Sequence, residues 1–414
     1  MYSKKKMLMF LVVALLISTV SMLGLAAKRK ELVVAYPGWD SAEQEKAVSA
    51  LVKEFNAKNP DLHIALQNYP WAMYRDKIVV QLKAKSGPDL GYNPMYWIPA
   101  WYRNGFISDL TKYIPELNIT DWYEGSWGSS LYGSKYYSIP DRREPDVVYY
   151  NADLFEKAGI KEFPSTMDEF LAAAKKLTTQ DVAGFGLAMA SHSTLPSQIL
   201  NFLYAFGVDP ITADGKGTTF LEPETIKAVQ FYIDLYRKYN VTQKSATGDS
   251  RDEIRRLFMA GKVAMMIDGL WAAGTFDQLA PDLNWKTGVF PQVSGLERSC
   301  LAQGWDWVIY SHSNYPDEAF RFIKFMTQPE NMAKAVVTLP ARKTASTVER
   351  FADPFYDIWF EALKYASPPP KTEYYNDIFQ YVMGDVLQSI VIQNVPVEKA
   401  LEVAAKRSLD ILNQ

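Results

Sequence analysis

The side chains that most often carry catalysis or hold metals are sparse in this 414-residue chain. It has three histidines (His63, His192, His312) and one cysteine, Cys300. None falls in an HExxH or paired-cysteine spacing, so no metal site is expected. The polar turn Asp214-Gly215-Lys216-Gly217 is not a Walker loop, and no Gly-x-Ser-x-Gly elbow occurs, so no cofactor is expected either. Carboxylates are plentiful, with 47 Asp and Glu. Two of them a few ångströms apart across a cleft suffice for glycoside hydrolysis. Asp40, Asp89, Glu144, Asp268 and Asp306 all lie near turns. Each such acid is more often a helix cap or a solvated charge than a catalyst.

The aromatic residues form a clearer pattern among 11 Trp, 25 Tyr and 21 Phe. Trp39 follows an apolar run in Pro37-Gly38-Trp39-Asp40, and Trp71 follows another in Tyr69-Pro70-Trp71. Trp271 stands on a glycine-flanked turn after VAMMI, and Trp305 and Trp307 flank Asp306 where GWDWVIY begins. A sugar ring suits such positions. Its C–H face stacks on an aromatic ring, while its hydroxyls need donors and acceptors at the rim. The competing reading of each single Trp is core packing.

The elements that must position these residues read as strand and helix in alternation. Residues 31–36 (ELVVAY) read as a buried strand. Ser41 with Gln44 opens a helix whose apolar face is Ala47, Val48, Leu51, Val52 and Phe55. Residues 63–67 (HIALQ) read as a second strand, followed by a helix through Ile78 and Leu82. This order predicts a parallel α/β sheet with its ligand crevice beyond the carboxyl ends of the strands. Thr166 with Glu169 makes a further capping box. Ile226, Val229, Ile233 and Tyr236 mark a long helix, and residues 316–326 and the stretch from Val397 also read as helical. Pro368-Pro369-Pro370 is a stiff connection.

The totals are those of an ordinary globular protein of two or three domains, 48% hydrophobic and 22% charged, with a net charge of -3. Nothing in the charge pattern points to nucleic acid. Lys4, Lys5 and Lys6 precede an uncharged apolar stretch over residues 7–25 and small residues at Gly24-Leu25-Ala26. That pattern predicts a signal peptide over residues 1–26, cleaved near Ala26, with an uncleaved anchor as the alternative. The single cysteine allows no internal disulfide, and none at the cleavage site provides for a lipid anchor. A free periplasmic protein is expected.

Several segments, in order, resemble the extracellular solute-binding proteins of bacterial ABC importers, the maltose-binding-protein-like sugar-binding group. They are LVKEFNAKNPDLHI, YPWAMYRDKI, KSGPDLGY, VVYYNADLFEKAGIKEFPSTMDEFLAAAKKLT, FMAGKVAMMIDGLWAAG, PDEAFRFIKFMTQPENM and TLPARKTA. The resemblance implies an α/β, two-lobe periplasmic-binding-protein fold of type II, with a hinge that the chain crosses three times. Lobe one would hold residues 28–142 and 291–338, and lobe two 143–290 and 339–414. It also implies a monomer that captures a mono- or oligosaccharide by hinge closure and delivers it to a membrane permease.

Ligand contacts carried over from the resemblance fall on Trp39 and Asp40, Trp71, Tyr92 and Asn93. They continue with Arg142, Arg143 and Glu144 at the crossing, then Trp271, Trp305 and Asp306, Arg342, and Tyr374 or Tyr375. The Arg142-Arg143 pair is unusual for the group and fits either an acidic or phosphorylated sugar or a salt bridge to Asp141 or Glu144. The bulk of Trp305-Asp306-Trp307 narrows the expected cleft. The alternatives are a periplasmic carbohydrate-active enzyme with a carboxylate pair, or a binding protein for an anionic solute or polyol.

Overall fold

The computed structural model describes residues 29–39, 41–212, 214–297 and 299–413. The leader expected over residues 1–26 and the site candidate Asp40 lie outside the described residues. The strands, in chain order, are β1 (Lys30–Tyr36), β2 (Leu62–Asn68), β3 (Leu90–Pro94), β4 (Leu131–Tyr132), β5 (Lys135–Tyr136), β6 (Ile139–Pro145), β7 (Val147–Asn151), β8 (Met265–Asp268), β9 (Trp285–Gly288), β10 (Cys300–Ile309) and β11 (Ala366–Ser367).

They form two principal sheets. The first has six strands in the order β11-β10-β3-β1-β2, with β6 on the other side of part of β10. Strand β1 is parallel to β2 and β3, but β10 runs antiparallel to β3 and β6. The sheet is therefore mixed rather than parallel throughout. The strand-helix-strand reading holds for β1 and β2. It missed both β3, which adds in parallel beside β1, and β10, which returns from about 200 residues later to pair by a long-range contact. The second sheet is β8-β7-β9, antiparallel around β7. A single residue, Asp146, separates β6 in the first sheet from β7 in the second.

The helices read in the sequence form as expected, but Leu195–Ala205 and Trp271–Leu279 were not anticipated, the latter beginning at the tryptophan expected on a turn. Ala42–Lys58 is capped by Ser41, whose hydroxyl accepts from the Gln44 amide, and it buries Val48, Leu51, Val52 and Phe55. Met167–Leu177 has the full Thr166/Glu169 capping box, and Pro316–Met326 covers the expected residues. Arg251–Met259 carries a further capping box, Ser250/Glu253. One core cluster gathers β1 and β2 with the helices over them, Val48 and Phe322 among its members. A second joins Val148, Met265 and Ile267 of the second sheet to Phe202, Tyr232, Ile378 and Leu401. Cys300 is buried and free.

Candidate functional site

A cleft of about 350 Å³ opens between the two sheets. The first sheet supplies one wall. Gly38, at φ +67°, turns the chain after β1, and its amide donates to the Asn68 side chain at the end of β2 (2.7 Å). The turn presents Trp39, whose ring leans on Tyr36 at 4.7 Å. Trp71 opens the helix Trp71–Lys83 after β2, stacks on Trp97 at 5.5 Å and meets Trp305 edge-on at 5.7 Å. Trp305 is in turn backed by Tyr92 at 5.3 Å.

The floor is the β6–β10 ribbon. Gln303 lies opposite Glu144 and Trp305 opposite Arg142 in the ladder. Cross-strand partners share a face, so all four line the cleft. The Arg142 guanidinium sits 4.9 Å from the Trp305 ring centre and 3.7 Å from the Glu144 carboxylate.

The opposite wall comes from the second sheet and its helices. Trp271 begins the helix Trp271–Leu279 directly after β8, and Arg251 lies 5.1 Å over its ring. The glycine before it has a steric role: a Cβ on Gly269 would stand 1.9 Å from the Trp271 ring. Asp268 accepts from Arg255 at 2.7 and 2.9 Å and lies 3.5 Å from Arg251. Ser193, Thr194 and Ser197, at the start of the helix Leu195–Ala205, add hydroxyls. Tyr96 and Tyr375 close one end, stacked at 4.8 Å. Burial raises the Tyr96 phenol above its usual range, adding to the margin by which it is already a protonated donor at physiological pH. Three carboxylates face the three arginines that line the cleft, Glu144 beside Arg142 and Asp268 with Asp252 beside Arg251 and Arg255, so it is close to neutral.

Of the expected contacts, the structure brings together Trp39, Trp71, Arg142, Glu144, Trp271 and Trp305. The others stand elsewhere. Tyr92 and Asn93 are buried in the central strand β3 rather than on a loop, and the Tyr92 hydroxyl donates to Asp141 (2.8 Å). Arg143 and Asp306 point to the far face of the ribbon, where they form a buried ion pair at 2.8 Å. Asp306 also accepts from Ser129 and Ser138. Successive side chains on a strand alternate between faces, so Arg142 and Glu144 in the cleft force Arg143 out of it. Arg342 pairs with Asp121 at 2.7 Å and stacks on Trp122 at 4.4 Å, away from the cleft. Tyr374 is half-buried beside the cleft, and its neighbour Tyr375 is the one that lines it.

Sequence reasoning missed Tyr96, Gln303, Arg251, Asp252 and Arg255. A signal for the two arginines was present. Ser250-x-x-Glu253 opens a helix and places Arg251 and Arg255, four apart, on one face. Among the described residues, no group of His, Cys, Asp and Glu side chains is arranged to hold a metal ion.

A family model described as bacterial extracellular solute-binding protein matches residues 38–333, well over half of the chain. A protein of Brucella abortus named as a binding protein is 24% identical over 370 residues, covering 87% of this chain and 89% of that protein. The arabinooligosaccharide-binding protein of Halalkalibacterium halodurans is 24% identical over 356 residues, covering 82% of this chain and 74% of that one. Among solved structures, an ABC transporter solute-binding protein from Thermotoga lettingae bound to alpha-D-tagatose superposes with a TM-score of 0.83 at 26% identity, over 92% of this chain and 100% of that one.

Proposed function

We propose, from the premise that this chain belongs to the bacterial extracellular solute-binding protein family, that it captures a neutral sugar between two lobes and delivers it to an ABC importer in the membrane. The fold is the two-lobe, type II periplasmic-binding fold of that family. The observation that carries the sugar reading is the cleft itself. Indoles stand on opposite walls, Trp39, Trp71 and Trp305 against Trp271, with amide, hydroxyl, guanidinium and carboxylate groups between them. Aromatic faces suit the C–H side of a pyranose or furanose, and the polar groups suit its hydroxyls. The relatives support the class, since the Thermotoga protein holds a monosaccharide and the Halalkalibacterium protein is named for an arabinooligosaccharide. At about 350 Å³ the cleft is at the small end for ligand sites, which favours one or two rings.

The neutralised arginines argue against an anionic or phosphorylated ligand. We propose binding without turnover: the sugar bridges both walls, and its extra contacts in the closed state shift the equilibrium towards closure. Periplasmic binding proteins are a standard example of such hinge closure. We propose a two-lobe division close to the expected 28–142 with 291–338 and 143–290 with 339–414, but with the first crossing moved from 142/143 to Asp146, the single residue between β6 and β7. The family is extracellular, so the protein is exported; we propose a free periplasmic monomer without a lipid anchor.

The test is calorimetry on the purified protein with monosaccharides, disaccharides and sugar phosphates, followed by analysis of the recovered ligand. One-to-one binding of a neutral sugar recovered intact supports the reading. Turnover, or preference for the phosphate, overturns it.

A further inference from the structure

We propose that the segment Pro368 to Tyr375 is a clasp that holds the two lobes together before any ligand arrives. The inference rests on the two-lobe reading above. The segment leaves β11, the strand paired with Cys300 and Leu301 of β10, and is then anchored in the core of the second sheet. The Tyr204 hydroxyl donates to the Pro368 carbonyl at 2.8 Å, and Tyr375 packs on Phe379 at 5.5 Å within the core cluster that contains Val148 and Met265. Pro369, Pro370 and Thr372 are buried, so this anchor is stiff.

From it, three alternate side chains reach the first lobe. Lys371 donates to the Leu131 carbonyl at 2.5 Å and lies 4.2 Å over the Tyr132 ring. Glu373 pairs with Arg103 at 2.9 Å. Tyr375 stacks on Tyr96 at 4.8 Å. Arg103 ends the helix Ile98–Arg103 that follows β3, and Tyr132 stacks on Tyr102 of the same helix at 4.1 Å. All three contacts therefore end on one rigid part of the first lobe.

None of these contacts requires a sugar. Contacts across a hinge that exist only when it is closed raise the closed population of the empty protein. A ligand then binds a state that is already populated, which strengthens its apparent affinity and slows its release. Each contact alone is weak, since exposed ion pairs and cation–π pairs contribute little in water. Acting at three points on one lever, they bias the same equilibrium.

The experiment uses spin labels on Lys85→Cys and Lys238→Cys, exposed positions on the two lobes, in the full protein without ligand. The clasp variant is Lys371→Met/Arg103→Met/Glu373→Gln, none of which lines the sugar cleft. Its label distances should shift to a longer, broader distribution, and high salt should move the parent protein the same way. The charge-swapped Arg103→Glu/Glu373→Arg protein should restore the parent distribution. If a sugar has been identified, its dissociation rate should rise on the order of 3- to 10-fold in the triple variant. Identical ligand-free distributions in parent and variant, with both folded by circular dichroism, overturn the clasp. That result is independent of whether any sugar binds, so failure of the functional reading is seen separately in the calorimetry.

Discussion

The indole of Trp271 lies so close over Gly269 that a Cβ at 269 would stand 1.9 Å from its ring. The glycine after β8 is thus where the aromatic wall of the cleft rests, while the Tyr149 hydroxyl holds its carbonyl from behind at 2.9 Å. Gly269→Ala must push the indole out of place. Trp271→Ala should weaken sugar binding by roughly 1–3 kcal/mol, as loss of an aromatic anchor does. Gly269→Ala should reproduce much of that loss with the Trp still present. Calorimetry gives the affinities, and Trp fluorescence reports the displaced ring. Unchanged affinity in both variants would return Trp271 to a packing role.

Arg142 and Arg143 are adjacent in sequence and opposite in consequence. Arg142→Met should weaken binding by about 0.5–2 kcal/mol, because its guanidinium positions the Trp305 face, and it should also lower stability, because Glu144 is as buried as Asp306. Arg143→Met should leave affinity nearly unchanged. It should instead destabilise the fold by about 3–5 kcal/mol, because it strips the partner from the fully buried Asp306. Urea unfolding alongside calorimetry separates the two effects.

Salt tests the electrostatic balance of the cleft. Each lining arginine faces a carboxylate, so affinity for a neutral sugar should change less than about twofold between low and high salt. A steep fall would mean an anionic ligand and an arginine that the carboxylates do not neutralise.

Asp146, between the sheets, is a pH-sensitive point in the crossing. Burial pushes its carboxyl up from 3.8 to about 7, against the opposing effects of Arg251 and of the hydrogen bonds donated by Asn201 and Gln303, each 2.8 Å. A carboxyl with a raised folded-state pKa contributes stability that is complete below pH 3.8 and is lost as pH rises through about 7. The melting temperature of Asp146→Asn, relative to the parent, should therefore rise as pH is raised from about 4 to 8. A pH-independent difference would show that Asp146 does not titrate in this range. Gln303 lines the cleft, so sugar affinity should be followed over the same pH series.

Much of the frame was legible in the sequence because helices and strands are written in local periodicity. The apolar face of Ala42–Lys58, the Thr166/Glu169 box and the span Pro316–Met326 need only neighbours a few residues away. The placing of Trp39, Trp71 and Trp271 just past strand ends was also a local property. The site was legible in part. Three consecutive residues, Arg142, Arg143 and Glu144, were expected in the cleft, but a strand offers a given face only every second residue. Tyr92 and Asn93 were carried over from the resemblance, but they lie in β3, a short strand buried on both faces that shows no polar alternation by which sequence could mark it. Arg342 was lost to Asp121, a partner 221 residues away.

The sequence alone determined the elements, their order and the family resemblance, since these depend on residue spacing within a turn or a strand. Only the tertiary structure decided which acid neutralises each arginine, which tyrosine closes the cleft and how the segment 368–375 grips the far lobe. Those choices join residues far apart in the chain. They follow from how two sheets meet and which side of a ribbon each side chain takes, and no local pattern encodes either.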